Sequence, residues 1–201
     1  MKNKDWVGNE NSIYTTLGAS NHSDYIRADY DFYATPPEAI DFLIKDGGAC
    51  VASNVLEPCA GNGHISEKLK EYGINVISKD IIQREYPLNS VEDFLKCNEK
   101  FNGDIITNPP YKFAKEFIEK SLEIIPDGNK VFMFLKLQFL EGKARRKLFD
   151  THQLEKVYVF TSRMKCGANG NFDIGGSSAV AYAWFEFTKG YNKYPTIKWI
   201  N

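Results

Sequence analysis

Val55-Leu56-Glu57-Pro58-Cys59-Ala60-Gly61-Asn62-Gly63-His64 is the stretch from which the rest of the chain can be read. It starts apolar and β-branched, passes through a proline and two glycines, and runs into the amphipathic pattern of residues 64–72. Such a stretch predicts a buried strand, a tight turn and a helix. Glycines at such a turn let the backbone approach a ligand closely and adopt dihedrals that a Cβ forbids.

The partners this turn needs lie further along. The next predicted strand, 75–78, leads to Asp80, 19 residues after Gly61, where a carboxylate can accept hydrogen bonds from both hydroxyls of a ribose. Ile81 follows it, and His64-Ile65 open the helix after the glycines. Asp93-Phe94, at the end of a third strand over 90–94, can offer a carboxylate to an adenine amine and a ring to its face. Together these residues describe an adenosine pocket at the carboxyl ends of parallel strands. No Lys-Ser/Thr follows the glycines, the six-position dinucleotide fingerprint is unmet, and Glu57 would repel a pyrophosphate. A ligand with a cationic amino acid tail suits the turn, so S-adenosylmethionine fits better than NAD or ATP. Taken singly, each residue has a plainer reading: Glu57 caps the turn, Asp80 starts a helix, Phe94 is core.

Thr107-Asn108-Pro109-Pro110-Tyr111 follows another apolar run, Asp104-Ile105-Ile106. Neither proline has an N–H, so the Asn108 amide oxygen and the Pro109 carbonyl are left to accept from one exocyclic amine. Tyr111 supplies a flat face for the ring that carries the amine. Pro58-Cys59 raises the possibility of a cysteine nucleophile, but Cys59 lies within the glycine turn, where a small packing residue is expected. His64 and His152 have no triad partners in sequence, and Trp184 and Phe185 read as core.

Short β-branched runs alternate with amphipathic ones along the chain. Strands are predicted over 54–57, 75–78, 90–94, 104–108, 130–136, 156–160 and 179–187, and helices over 36–45, 64–72, 113–125 and 141–150. Phe113, Phe117, Leu122 and Ile125 fall near one face of the third helix. The alternation predicts an α/β fold with a mostly parallel sheet covered on both faces. The last two strands, joined by a Gly/Asn/Ser-rich stretch without helical pattern, are expected to pair antiparallel at one edge.

The chain has 201 residues and shows no linker or composition break, so one domain over 31–201 is expected, preceded by an irregular arm over 1–30. Its apolar runs are too short for a membrane span and the N-terminus lacks a secretory pattern, which makes the cytoplasm the expected location. Cys50, Cys59, Cys97 and Cys166 have no metal-ligand spacing. The formal net charge of −1 argues against indiscriminate nucleic-acid binding, yet residues 136–165 hold eight Lys/Arg against three acids. Lys136, Lys143, Arg145, Arg146, Arg163 and Lys165 in this basic stretch are candidates for tracking a phosphate backbone. A solvated helix face explains residues 143–147 as well.

Tyr33-Ala34-Thr35-Pro36-Pro37, Glu57-Pro58-Cys59-Ala60-Gly61-Asn62-Gly63, Asp93-Phe94 and Asn108-Pro109-Pro110-Tyr111 resemble motifs X, I, III and IV of the DNA adenine-N6 methyltransferases. Their order resembles the gamma arrangement, in a short member of phage or prophage type, and the similarity spans roughly residues 30–187. The resemblance implies a Rossmann-like class I methyltransferase with a seven-stranded sheet and a reversed last strand. It further implies S-adenosylmethionine as methyl donor, S-adenosylhomocysteine as product, DNA as partner and a bacterial or phage source. Asn108, Pro109, Pro110 and Tyr111 would then hold the target adenine. Tyr33, Thr35 and Pro36 would lie against the methionine part of the donor, Gly61 and Gly63 beneath it, and Asp80 at its ribose. Gamma members usually carry a large C-terminal recognition domain, absent here, so specificity is expected from loops, with 161–178 the best candidate, or from a homodimer or separate specificity partner, or is expected to be low.

Two related chemistries remain open at this point. RNA adenine-N6 methylation needs the same amine geometry, because nothing in the sequence reads a 2′-hydroxyl. Methylation of a glutamine amide also uses Asn-Pro-Pro-Tyr, although the turn at 57–61 resembles the adenine group more. A catalytically silent nucleic-acid-binding module would keep the basic stretch without needing Asn108 and Tyr111.

Overall fold

A computed structural model describes residues 33–151, 153–168, 172 and 180–201. The expected N-terminal arm, His152 and most of the stretch 169–179 lie outside the described residues.

The strands are β1 (Tyr33–Ala34), β2 (Asn54–Glu57), β3 (Asn75–Asp80), β4 (Ser90–Val91), β5 (Asp104–Thr107), β6 (Lys130–Lys136), β7 (Leu154–Phe160), β8 (Gly167–Ala168), β9 (Tyr182–Thr188) and β10 (Thr196–Ile200). The α-helices are α1 (Glu38–Asp41), widened into a π-type turn over Phe42–Asp46, then α2 (His64–Glu71), α3 (Ala114–Ile124) and α4 (Arg146–Asp150). An eight-stranded sheet runs β10-β7-β9-β6-β5-β2-β3-β4, and β1 pairs with β8 in a separate two-stranded ribbon.

Period-two burial explains why these runs are strands. Val131, Met133 and Leu135 of β6 pack in one apolar cluster, and Phe132 and Phe134 in the other. Val55 and Leu56 of β2, and Ile105 and Ile106 of β5, divide between the same two clusters. A strand buried on both faces must be apolar throughout, which is the signature of a parallel sheet covered by helices. α3 covers one face through Phe117, Ile118 and Leu122. α1 and α2 cover the other through Ile40, Ile65 and Leu69. Phe113 departs from the expected helical stripe: it ends a 3₁₀ turn over Tyr111–Phe113 and is 42% exposed.

The expected α/β fold is present: β2, β3, β4, β5 and β6 are parallel, and β9 runs antiparallel to both β6 and β7. Two details differ from the sequence reading. The sheet has eight strands, because β10 adds parallel to β7, so the antiparallel β7–β9 pair is covered and does not form the edge. The expected third strand stops at Val91, because Asp93 accepts a hydrogen bond from Leu95 N at 3.1 Å and starts a 3₁₀ turn that buries Phe94.

Several polar groups sealed inside the sheet are paired. Trp184 Nε1 donates to Ala39 O at 2.9 Å, tying β9 to α1. Asp104 accepts from Ala52 N, Asn129 Nδ2 and Lys130 N, locking the entry to β5 against that of β6. Fully buried Glu186 accepts from Lys130 Nζ at 2.6 Å and Tyr158 Oη at 2.5 Å. No helix among the described residues is long and apolar enough to cross a membrane.

Candidate active site

β2, β3 and β5 all end on one side of the sheet, so the segments after Glu57, Asp80 and Thr107 converge. They enclose a cleft of about 800 Å³. That lies within the roughly 300–1,000 Å³ typical of small-molecule sites. Glu57, Pro58, Cys59, Ala60, His64 and Ile65 form its floor, and Asp80, Ile81, Asp93 and Phe94 one wall. Tyr33, Thr35, Asn108 and Pro110 form the opposite wall. The strand-end loops thus bring most of the predicted donor residues to one cavity with Asn108 and Pro110, while Pro109 is not among its lining residues. Ile82, Arg84, Lys112, Phe113 and Phe117 also line it, and the sequence reading did not select them.

The glycine turn is held by the acid of the next strand. Gly61 (φ 55°) donates its N–H to Asp80 Oδ2 at 2.8 Å, and Ile82 N donates to Asp80 Oδ1 at 3.0 Å. Asp80 therefore staples two loops together, and its remaining lone pairs are available to ligand hydroxyls. Gly63 (φ 80°) is needed because a Cβ there would lie 2.2 Å from the Tyr86 ring. Gly61, Gly63 and Pro36 do not line the cleft; Gly63 makes room for the protein's own aromatic ring.

Glu57 is 1% exposed and accepts from the Ser66 hydroxyl, which in turn contacts Ser78 Oγ at 2.6 Å. One oxygen of its carboxyl group is thus engaged with α2, while the residue also lines the cleft floor. Burial pushes its pKa well up despite the Ser66 hydrogen bond. A folded-state value above the unfolded one means that folding loses stability as pH rises from the ordinary carboxyl range through the folded value. Glu57→Gln should accordingly raise the melting temperature at pH 8, with the gain vanishing near pH 4. Each ~1 kcal/mol so relieved corresponds to about 2–4 °C for a chain of this size. Equal melting curves at both pH values would show that Glu57 is not held protonated.

Burial also pushes the Cys59 thiol well up, with the neighbouring Asp80 adding to the shift, so the thiolate needed for nucleophilic attack is disfavoured. Burial lowers the pKa of His64, whose ring meets Phe172 edge-on at 5.2 Å.

The Asn-Pro-Pro-Tyr turn separates two cavities. Asn108 Nδ2 donates to Tyr33 O at 2.7 Å, across 75 residues of sequence. With the amide nitrogen committed to β1, Oδ1 is left as the acceptor. Tyr111 does not line the large cleft. It lines a second cavity of about 240 Å³ with Lys136, Phe139 and Arg145, and Lys136 Nζ sits 5.1 Å from its ring centroid. Tyr111 also meets Tyr182, at 6.2 Å between centroids.

The cations of the basic stretch have different surroundings. Arg145 donates through Nε to Phe139 O at 2.8 Å, and its guanidinium also reaches Glu141 O, so it pins the loop after β6. Arg146 pairs with Asp150 at 2.7 Å on the exposed face of α4. Lys143, Arg163 and Lys165 are exposed, and Lys136 is half-buried over Tyr111.

No protein-family model and no curated protein matches the chain. Solved structures do. A protein from Pyrococcus horikoshii described as an RNA methyltransferase superposes with a TM-score of 0.56 at 13% identity, over 88% of this chain and 96% of its own. A protein from Listeria monocytogenes described as a class I S-adenosylmethionine-dependent methyltransferase gives 0.53 at 12% identity, over 92% of this chain and 69% of its own. The type IIG restriction endonuclease BpuSI gives 0.56 at 17% identity, over 81% of this chain and 26% of its own. The fold is therefore that of the Rossmann-like class I methyltransferases.

Proposed function

We propose that this protein transfers a methyl group from S-adenosylmethionine to N6 of adenine in DNA. The observation that carries this reading is the hydrogen bond from Asn108 Nδ2 to Tyr33 O, at the wall of the cleft. One Nδ2 hydrogen spent on Tyr33 O fixes the orientation of the amide and leaves Oδ1 as its acceptor, and that oxygen next to a proline carbonyl suits a substrate that donates two hydrogens from one nitrogen.

The residues present fit the donor. Thr35 lines the cleft, is 3% exposed, and its hydroxyl has no hydrogen-bond partner among the described residues. A buried orphan hydroxyl is costly until a ligand pairs it. Across the cleft, Ile81 is 60% exposed beside Phe94. A flat adenine between these apolar groups would cover Ile81, with Asp80 beside its ribose and Thr35 beside its polar tail. When bound, S-adenosylmethionine supplies an electrophilic methyl group.

The protein's own part is orientation. Asn108 Oδ1 and the Pro109 carbonyl accept from the target amine and favour a tetrahedral nitrogen whose lone pair faces the cleft. Alignment of this kind contributes up to roughly 7–11 kcal/mol. The amine is inaccessible within a duplex, so the base must rotate out, and stacking on Tyr111 returns about 1–3 kcal/mol of that cost. The likeness to a restriction endonuclease supports DNA, and the likeness to a protein described as an RNA methyltransferase keeps RNA as the second substrate to test.

The test is to incubate the protein with S-adenosylmethionine and DNA, single- or double-stranded, and to digest the product to nucleosides. N6-methyladenine is the expected product. Label in RNA or in protein glutamine, with none in DNA, would overturn the substrate; failure to bind S-adenosylhomocysteine would overturn the donor.

A further inference from the structure

Residues 161–168 lead from the end of β7 to β8, and burial alternates over 163–166. Met164 is 4% exposed and packs in the cluster of Phe160, Tyr182 and Ile200. Cys166 is half-buried against the same cluster. Arg163 and Lys165, between and before them, are exposed. One side of this segment is therefore fastened to the core and the other presents two cations.

The segment ends in β8, which has β1 as its strand partner among the described residues. Ala168 pairs with Tyr33 and Gly167 with Ala34, antiparallel. Tyr33 is the residue whose carbonyl holds Asn108 Nδ2. From the exposed Lys165 to the amide of Asn108 there are thus only a few covalent links, one ribbon pairing and one side-chain hydrogen bond. Lys143, by contrast, sits in a 3₁₀ turn after β6, outside the β8–β1 ribbon.

We propose that residues 163–168 form a positioning strap, in which Arg163 and Lys165 take phosphates of the DNA backbone and the β8–β1 ribbon transmits that contact to Asn108, setting its amide for the target amine. The proposal rests on the reading above that DNA is the substrate and Asn108 the acceptor. It assigns Arg163 and Lys165 a task beyond attraction. An ordinary phosphate contact lowers the substrate concentration needed, whereas a contact wired to the acceptor also changes the rate at saturation.

The experiment compares R163Q/K165Q with Lys143→Gln in the full chain. Expected for the strap variant is a fall in kcat of about 10-fold at saturating DNA, with affinity for S-adenosylhomocysteine unchanged. Lys143→Gln should alter KM alone. A strap variant that raises KM without lowering kcat, or a Lys143 variant that lowers kcat equally, would overturn the strap. A second pair acts on the ribbon itself: G167P/A168P removes the β8 amide donors and should lower kcat, and G167A/A168V, which keeps them, should retain it. Retained activity in the proline variant would overturn transmission through β8.

A readout without turnover separates this proposal from the function it rests on. In protein saturated with S-adenosylhomocysteine, a short DNA oligonucleotide should shift the side-chain amide resonance of Asn108, identified by its absence in Asn108→Asp. The shift should be lost in R163Q/K165Q and kept in Lys143→Gln. If it behaves so while no methyl transfer is found, the strap stands and the catalytic reading falls. If methylation proceeds normally and the resonance does not respond to DNA, the strap falls alone.

Discussion

Replacing Asn108 with alanine will lower methyl transfer by roughly 10²–10³-fold, the loss typical of removing one preorganised hydrogen-bonding group from a reacting centre. The size of the effect follows from its position. Asn108 follows β5, a strand whose four residues are all buried, and its side chain is anchored at 2.7 Å to Tyr33 O, so little freedom remains for another group to substitute. Donor binding should change little, because the cleft keeps its other walls, from Ile81 and Phe94 to Thr35. Asn108→Asp is the sharper variant: it keeps an acceptor but sets a carboxylate oxygen against the Tyr33 carbonyl, and it should be nearly as inactive. Calorimetry with S-adenosylhomocysteine alongside turnover decides the matter. A parallel loss of donor affinity would mean that Asn108 serves the donor and not the target.

Glu186→Ala should be the most destabilising of the changes considered. Lys130 and Tyr158 both donate to its carboxylate at the end of the sheet opposite the cleft. Burial disfavours charge on Lys130, and Glu186 outweighs that effect, so its pKa is raised. Burial and the bond to Glu186 likewise hold the Tyr158 hydroxyl protonated. Removing the carboxylate strands a charge and a hydroxyl beneath β9, a loss worth about 3–5 kcal/mol. At about 2–4 °C per kcal/mol, the melting temperature should fall by roughly 10 °C. Glu186→Gln keeps a partner for Tyr158 while leaving Lys130 uncompensated, and should fall between. A change in melting temperature below about 2 °C for the alanine variant would mean that water or another group replaces the carboxylate.

How far the sequence carries differs between sheet and site. β2 and β6 coincide with the expected boundaries, because a strand buried on both faces is apolar at every position and needs no partner to be recognised. β10 was invisible for the converse reason. Its outward row, Ile197 and Trp199, is apolar and more than half exposed, and inward Lys198 reaches Gly47 O, so the alternation has the wrong sign for a core strand. β1 and β8 are two residues each and exist only through pairing across more than 130 positions, which no local pattern encodes.

At the site, the chemistry-bearing residues were legible and their directions were not. Asp80, Phe94 and Asn108 do converge, since strand ends fix Asp80 and Asn108 and a short 3₁₀ turn after β4 buries Phe94 beside them. That Glu57 turns to Ser66, that Tyr86 fills the space above Gly63, and that Arg145 folds back onto carbonyls depends on loop paths, which side-chain spacing does not determine. The Tyr33 link to Asn108 belongs to the same class: two motifs with separate signatures turn out to form one device.

The place of β9 between β6 and β7 has a consequence for how the chain comes together. Phe134 at the middle of β6 is opposite Trp184, so the most apolar strand has no neighbour on that side until some fifty further residues exist. During synthesis on a ribosome, β5 and β6 can associate early, and the growing polypeptide then carries an open hydrogen-bonding edge until the penultimate strand emerges. Truncation before residue 182 would leave that edge permanently bare, and such fragments should precipitate or be captured by chaperones while the intact polypeptide stays in solution.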